Sequence, residues 1–165
     1  MVHRRHGDSD DRTGFDETTN YLSAAVSRFV PRGLARRAVA VDVSTDRDAY
    51  DPGEPVEITV RLHNRLPLPV EVVTPTRRPW GWAVDGVLEG TDERRYVREE
   101  STALSFRAGE TKTATATWNG RFRRENADGL DRSEPADSGD HTVSAFLCVA
   151  DRRSHHEDAV EIRIR

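Results

Sequence analysis

The chain has 165 residues, a net charge of −4 and one cysteine, Cys148. That length fits one domain and suffices to bury a core without disulfide or metal staples. One cysteine excludes an internal disulfide and a four-cysteine zinc site. The acidic balance argues against binding driven by phosphate neutralisation, so no nucleic-acid partner is expected.

No apolar run approaches the roughly 20 residues of a membrane span, so no membrane partner is expected. The first residues lack the apolar segment of a secretory signal, and a cytoplasmic protein is therefore expected. Valine occurs 17 times and threonine 14 times, which favours strands. Arginine outnumbers lysine 24 to 1, a bias typical of a high-GC archaeal or bacterial genome.

Three regions follow along the chain: a disordered tail over 1–15, a short helix with its linker over 16–37, and a β domain over 38–165. The tail has almost no apolar side chains. The helix is predicted over 16–29, because its apolar residues recur at a period of 3.6 and Pro31 ends it. Its apolar face consists of Tyr21, Leu22, Ala25, Val26 and Phe29.

From residue 38 the hydrophobic period changes to 2, which indicates strands. Turn signals lie at 48–55 and 85–86, Asn119-Gly120 predicts a hairpin turn, and 124–140 is a long polar loop. Strands are predicted over 39–43, 56–62, 70–73, 80–84, 96–97, 104–106, 113–118, 143–149 and 160–164. About eight short strands with regular turns predict an all-β, immunoglobulin-like antiparallel β-sandwich.

The alternation also predicts which side chains face the core. In each strand every second residue is apolar, and the intervening residues are polar. The predicted core residues are Val56, Ile58, Val60, Leu62, Val143, Ala145, Leu147, Val160, Ile162 and Ile164.

Three segments in this order resemble the BsuPI-type intracellular proteinase inhibitor domain. They are YDPGEPV over 50–56, LSFRAGET over 104–111 and GDHTV over 139–143. The resemblance covers about 40–150 and implies an immunoglobulin-like sandwich that binds a protein, with a subtilisin-like protease as one candidate partner. The family tends to have tyrosine where this chain has His141, and 77–82 matches no inhibitory loop.

The sequence offers no anchor for catalysis or for a cofactor. The histidines His63, His141, His155 and His156 lack the spacing of a metal site. Cys148 lies in an apolar strand, where a cysteine behaves as a small hydrophobe. No nucleophile motif or phosphate-binding loop is present. We therefore expect no enzyme activity, no metal and no cofactor.

The segment Thr74–Trp82 is the main candidate for partner binding. It concentrates Arg77, Arg78, Trp80 and Trp82, and tryptophan and arginine are enriched at interface hot spots. Trp80 and Trp82 share a strand face, so the alternative is that both fill the core. Under either interpretation the two arginines are expected to be exposed.

A second basic segment has two interpretations. Arg121, Arg123 and Arg124 alternate with Phe122. They form either a patch for an acidic partner or an edge strand protected by charge, and the acidic domain around them favours the edge strand.

These observations predict a non-catalytic protein-interaction domain. It would bind through 74–82, through 124–140, or through an edge strand that accepts an extended peptide. The alternative is a structural scaffold whose N-terminal helix mediates docking or self-association. The sequence does not determine the oligomeric state.

Overall fold

A computed structural model describes residues 32–75, 77–88, 101–125, 131–149 and 156–165. The predicted tail, the predicted helix over 16–29 and the predicted strand over 96–97 lie outside these residues. The described residues form one helix, α1 (Arg32–Ala38), and twelve strands. No helix among them is long and apolar enough to cross a membrane.

Eight of the twelve strands match the predicted segments, and β9 is the edge strand favoured for Arg121, Arg123 and Arg124. The other three are β10 and the two-residue strands β2 and β6. The strands are β1 (Val39–Thr45), β2 (Ala49–Tyr50), β3 (Val56–Asn64), β4 (Val70–Thr74), β5 (Trp80–Val84), β6 (Val87–Leu88), β7 (Thr102–Phe106), β8 (Thr111–Trp118), β9 (Arg121–Glu125), β10 (Asp131–Pro135), β11 (Gly139–Leu147) and β12 (Glu157–Ile164).

Two sheets form the sandwich. One has the strand order β1-β3-β8 and the other the order β2-β12-β11-β5-β6, while β4 pairs with β7 and β9 pairs with β10. The strand pairs are antiparallel except β2 with β12, which is parallel. The chain therefore passes from the first sheet at β1 to the second at β2. This arrangement confirms the predicted immunoglobulin-like antiparallel β-sandwich.

The core lies between the two sheets and follows the predicted register. Nine of the ten predicted core residues are buried, and Val160 is half-buried. Strand β2 pairs only with Arg163 and Ile164 of β12, so among the described residues no strand is hydrogen-bonded to that side of β12 at Val160. Trp118, Tyr50 and Phe106 are the largest fully buried side chains.

Helix α1 replaces part of the predicted linker. Pro31 was expected to end a helix, but proline is also favoured at the first turn of one, and here a helix follows it directly. Ala35 and Ala38 lie one turn apart on the buried side of α1, and Leu34 is half-exposed. The arginine-rich sequence of α1 concealed this short apolar face.

Two predicted connections are wrong. The segment over 124–140 contains the end of β9, all of β10 and the beginning of β11, because the backbone pairing of β9 with β10 does not need alternating apolar residues. Asn119-Gly120 does not form a hairpin, since β8 pairs with β3 and β9 pairs with β10. A type I′ hairpin turn needs positive φ at both central residues, but only Gly120 has it, with φ of 70°.

Candidate interaction surface

The four predicted partner-binding residues divide between core and surface. Trp82 is only 6% exposed and belongs to the core, while Trp80 is half-buried and packs against that core. Arg77 is exposed, whereas Arg78 is half-buried rather than exposed as expected. Both arginines interact with other groups. Of the four residues, Arg77, Arg78 and part of Trp80 therefore reach the surface, and Trp82 does not.

A glycine between the two tryptophans reveals a neighbour that the sequence did not. Gly81 pairs with Phe146 of β11, and a Cβ on Gly81 would lie 2.8 Å from Cζ of that ring. The half-buried Phe146 ring therefore lies across the glycine on the outer face of the sheet. Glycine inside a strand often marks such a close approach, and this signal could have identified Phe146.

His141, one of the sequence's metal-ligand candidates, is occupied by structural hydrogen bonds. Its Nδ1 lies 2.6 Å from Oδ2 of Asp85 and its Nε2 lies 2.8 Å from the carbonyl oxygen of Asp137. Its ring packs edge-on against Trp118, with the centroids 6.1 Å apart. The bond from His141 back to the upstream backbone resembles the tyrosine corner of immunoglobulin domains, in which a tyrosine hydroxyl bonds to the backbone a few residues before it.

Two acceptors on one ring favour the charged imidazolium, in which both nitrogens donate. Burial opposes the charge, but the bonds to the Asp137 carbonyl and the Asp85 carboxylate outweigh it, so the pKa of His141 lies above its ordinary value. His141 therefore links the beginning of β11 to Asp85, in the turn after β5, and to Asp137, in the segment before β11. The described residues contain no group of three or more side chains that could hold a metal ion.

Cys148 is also placed differently from the expectation. It is half-buried, just beyond the end of β11, and it interacts with neighbouring groups. Its backbone N–H donates to the carbonyl oxygen of Pro79 at 2.8 Å. The residue fixes the end of β11 to the segment before Trp80.

The three-stranded sheet has two edges, and the β1 edge is closed. Strand β1 lies beside β12 at the corner of the sandwich. The backbone N–H of Val43 points away from β3 and donates to Oδ2 of Asp158 at 2.8 Å. A side chain of the second sheet thus caps the outer edge of β1.

The β8 edge is open, and its geometry follows from the alternation of the backbone hydrogen bonds along the strand. The N–H of Asn64 donates to the carbonyl oxygen of Glu110 at 2.9 Å, while the N–H of Arg65 donates to Ala38 on the other side. In an antiparallel pair, the backbone N–H and C=O groups of successive residues point alternately toward the neighbouring strand and away from it. Given the register, the even residues of β8 bond to β3 and the odd residues point outward. Those odd residues are Thr111, Thr113, Thr115 and Thr117.

These four threonines, which we call the threonine edge, present both backbone and side chain to the outside. Their side chains are exposed, and within the described part of the chain their backbone N–H and C=O groups have no hydrogen-bond partner. Strand β9 would have covered this edge had Asn119-Gly120 formed a hairpin. The sequence predicts an edge strand as one possible binding surface but does not indicate that β8 is the strand with an open edge.

The inward face of β8 is small and half-buried. Ala114 and Ala116 are half-buried there, as is Lys112. Nζ of Lys112 lies 3.4 Å from a carboxylate oxygen of Glu110 and 5.7 Å from the centre of the Phe106 ring. An inward-pointing charge is one of the devices by which edge strands limit unselective pairing. The exposed side chains of β8 carry no charge.

Comparisons with solved structures yield distant likenesses. A CARDB domain from Pyrococcus furiosus matches at 13% identity with a TM-score of 0.47, over 77% of this chain and 94% of that one. A β-glucosidase from Listeria innocua matches at 15% identity and 0.42, over 77% of this chain and 16% of that one. An alkylpurine DNA glycosylase from Pseudomonas fluorescens matches at 15% identity and 0.45, over 78% and 30% respectively.

All three TM-scores are below 0.5, so the fold assignment depends on the strand pairing described above. No curated protein matches the sequence significantly. One family model covers the whole β domain and helix α1, over residues 27–165. The chain therefore belongs to DUF7974, a family of unknown function.

Proposed function

We propose that this protein is a non-catalytic protein-interaction module that accepts an extended segment along β8. The observation that supports this is the threonine edge, whose backbone groups have no partner within the described residues. An added strand satisfies such groups through main-chain hydrogen bonds, while alternate side chains provide specificity. Each of the four threonines offers one N–H and one C=O.

The side chains around the edge indicate which segments fit. The outward row contains only threonines, so an acceptable segment places β-branched or small polar residues opposite them. The inward row contains Ala114 and Ala116, whose small side chains leave room for apolar residues from the added strand. Lys112 already lies close to Glu110. A segment with an uncharged outward row and mostly small or apolar inward residues therefore fits best.

The resemblance to BsuPI-type inhibitors makes a subtilisin-like protease one candidate partner. Proteases bind their substrates as extended segments, and an open edge strand has that conformation. Inhibition is tested by adding the purified protein to a subtilisin-like protease and following cleavage of a chromogenic peptide. Slower cleavage would support the inhibitor proposal, and unchanged cleavage would remove the protease while leaving the threonine edge as the binding surface.

The edge itself is tested with peptides selected from a random dodecapeptide display library against the full chain. The blocking variant is Thr115→Pro, which removes an outward N–H and leaves the ladder with β3 intact. The matched control is Thr115→Val, which keeps the backbone donor and the β-branch. We expect binding of the selected peptides to fall at least about tenfold in Thr115→Pro and to be unchanged in Thr115→Val.

A second surface is tested with the same peptides. Arg77, Arg78 and Trp80 remain a proposed contact site, because arginine and tryptophan anchor many interfaces. The double substitution Arg77→Ala with Arg78→Ala is expected to leave the melting temperature nearly unchanged. If it abolishes peptide binding while Thr115→Pro does not, the binding surface is the Arg77–Trp80 segment. If no peptide is enriched, the strand-acceptor proposal is wrong.

A further inference from the structure

We infer that the strand accepted at the threonine edge is β8 of a second copy of this chain. The inference rests on the proposed function of β8 as a strand acceptor. Pairing two identical antiparallel strands requires a two-fold axis. The threonines at 111, 113, 115 and 117 are symmetric about Ala114, so an axis beside Ala114 uses all four on both copies.

In that register the outward face matches itself. Thr111 of one copy lies opposite Thr117 of the other, and Thr113 lies opposite Thr115. These are the residues whose backbone groups point away from β3, so each opposed pair can exchange two backbone hydrogen bonds. Thr–Thr pairs across antiparallel strands are favourable. The two sheets would join into one continuous six-stranded sheet.

The inward face is compatible with the same register. Ala114 lies opposite its own copy, and Lys112 lies opposite Ala116. The two lysines are offset by four residues, or about 13 Å along the strand, so like charges do not meet. The half-buried Ala114 and Ala116 would gain a neighbouring strand and lose contact with water.

Charge and closure favour a second copy over an unrelated partner. The chain carries a net charge of −4, which repels a second copy at most surfaces, but the exposed side chains of β8 are uncharged. Pairing uses both β8 edges of the dimer. The β1 edge of each sheet is capped by Asp158. Within the described residues the joined sheet therefore ends on both sides at β1, which lies beside β12, and offers no further threonine edge to a third copy.

The first test measures the mass of the full chain by sedimentation over a range of concentrations. We expect a concentration-dependent dimer. The double variant Thr113→Lys with Thr115→Lys places two pairs of lysines directly opposite each other across the axis. The double variant Thr113→Glu with Thr115→Glu places two pairs of glutamates there instead. Each variant alone should dissociate at least about tenfold more readily. Mixing the two variants should restore the dimer, because opposite charges then face each other.

The second test fixes the register by a disulfide in a Cys148→Ser background. Two cysteines directly opposite in a non-hydrogen-bonded pair lie within disulfide range. Oxidation should crosslink the Ala114→Cys variant. The matched control, Ala116→Cys, should crosslink far less, because its partner position is Lys112. Equal crosslinking of both variants, or failure of the mixed lysine and glutamate variants to associate, would overturn the inference.

The two proposals fail separately. If the wild-type chain is a monomer at every concentration while selected peptides still bind and Thr115→Pro blocks them, the second copy is wrong and the strand acceptor stands. If a dimer forms that the lysine and glutamate variants do not weaken, the interface lies elsewhere. If the chain is a monomer and no peptide binds, both proposals are wrong.

Discussion

The two edges of the three-stranded sheet differ in how they are finished. At the β1 side, Asp158 caps the N–H of Val43, and the chain crosses to the second sheet through the Asp46–Tyr50 turn. At the β8 side, four threonines leave outward backbone groups without partners among the described residues. One edge is therefore bonded to the rest of the fold, and the other is the edge for which we propose an association. Substitutions on the two sides should have correspondingly different effects.

The largest effect is expected at β3, which supports both edges. Ile58 is fully buried on β3 and lies opposite Thr45 of β1 and Ala116 of β8. Ile58→Ala should lower the free energy of unfolding by about 2–5 kcal/mol, because it removes buried methyl groups and leaves a cavity. Denaturant unfolding measures this loss. A loss below about 1 kcal/mol would contradict the assigned core position, since exposed sites rarely cost more.

On the closed side, the hydroxyl of Tyr50 is expected to contribute next. It donates to Oδ1 of Asp46 at 2.7 Å and accepts from the N–H of Arg47 at 3.0 Å. The side chain of Tyr50 is fully buried. Tyr50→Phe should cost about 1–3 kcal/mol, because polar groups lose their partners while the ring still fills the core. Urea unfolding at pH 7 checks this, and an unchanged midpoint would show that water replaces the hydroxyl.

The same turn predicts an acid dependence. The hydrogen bond from Tyr50 is the main cause that holds the pKa of Asp46 below its ordinary value of 3.8. A lowered pKa in the folded state stabilises the protein above the unfolded-state pKa, and this contribution is lost as pH falls through the folded pKa. Tyr50→Phe should therefore lose part of its penalty below about pH 3.8. A penalty that is constant down to pH 2 would contradict this coupling.

The hydrogen bonds of His141 predict a pH dependence of stability with the opposite sign. A raised histidine pKa stabilises the folded state fully below the unfolded value of about 6.5, and this contribution disappears as pH rises through the folded pKa. His141→Tyr should flatten the decrease in melting temperature as pH rises above about 6.5, because a neutral ring replaces the imidazolium.

His63→Tyr is the matched histidine control for this prediction. His63 is half-buried, and its Nδ1 lies 2.8 Å from the hydroxyl of Thr111 rather than next to a carboxylate. The control replaces a histidine but leaves the Asp85–His141 pair in place, so the decrease that this pair causes should remain. If His141→Tyr and His63→Tyr give the same profile as the wild type, then the Asp85–His141 pair does not control stability in this pH range.

The sequence could predict which side chains are buried, but not the structural features that depend on contacts between residues distant in the chain. Alternation located Ile58 and the other core residues, since one face of each strand must leave water. It could not show that Asn119-Gly120 sends β9 away from β8, because that outcome depends on the φ of Asn119 and on Trp118, whose indole N–H donates to the carbonyl oxygen of Arg121 at 2.8 Å. The open edge follows from that turn.

The partner-binding prediction shows the same limit. Residue types identified the segment with Arg77 and Trp80, but alternation alone could not decide how deeply each tryptophan lies. Trp82 is buried because it lies opposite Ala145 in the middle of the sheet, whereas Trp80 lies opposite Leu147 at the end of β11. The position of each tryptophan along the paired strand determines which of them stays partly at the surface. That position is known only once the strand register is known.

The smallest stability effect is expected on the open side, at Thr115. Its side chain is exposed, and its N–H points away from β3, so Thr115→Val should change the free energy of unfolding by less than about 0.5 kcal/mol.

Hydrogen exchange sharpens the contrast with the closed edge. In dilute protein the amide of Thr115 should exchange fast, whereas the amide of Val43, which is bonded to Asp158, should be protected. Raising the protein concentration should slow exchange at Thr113 and Thr115 and leave Val43 unchanged, because only the open edge gains a partner. Protection of Thr115 at the lowest concentration would mean that another part of the same chain covers β8, and the contrast between the two edges would disappear.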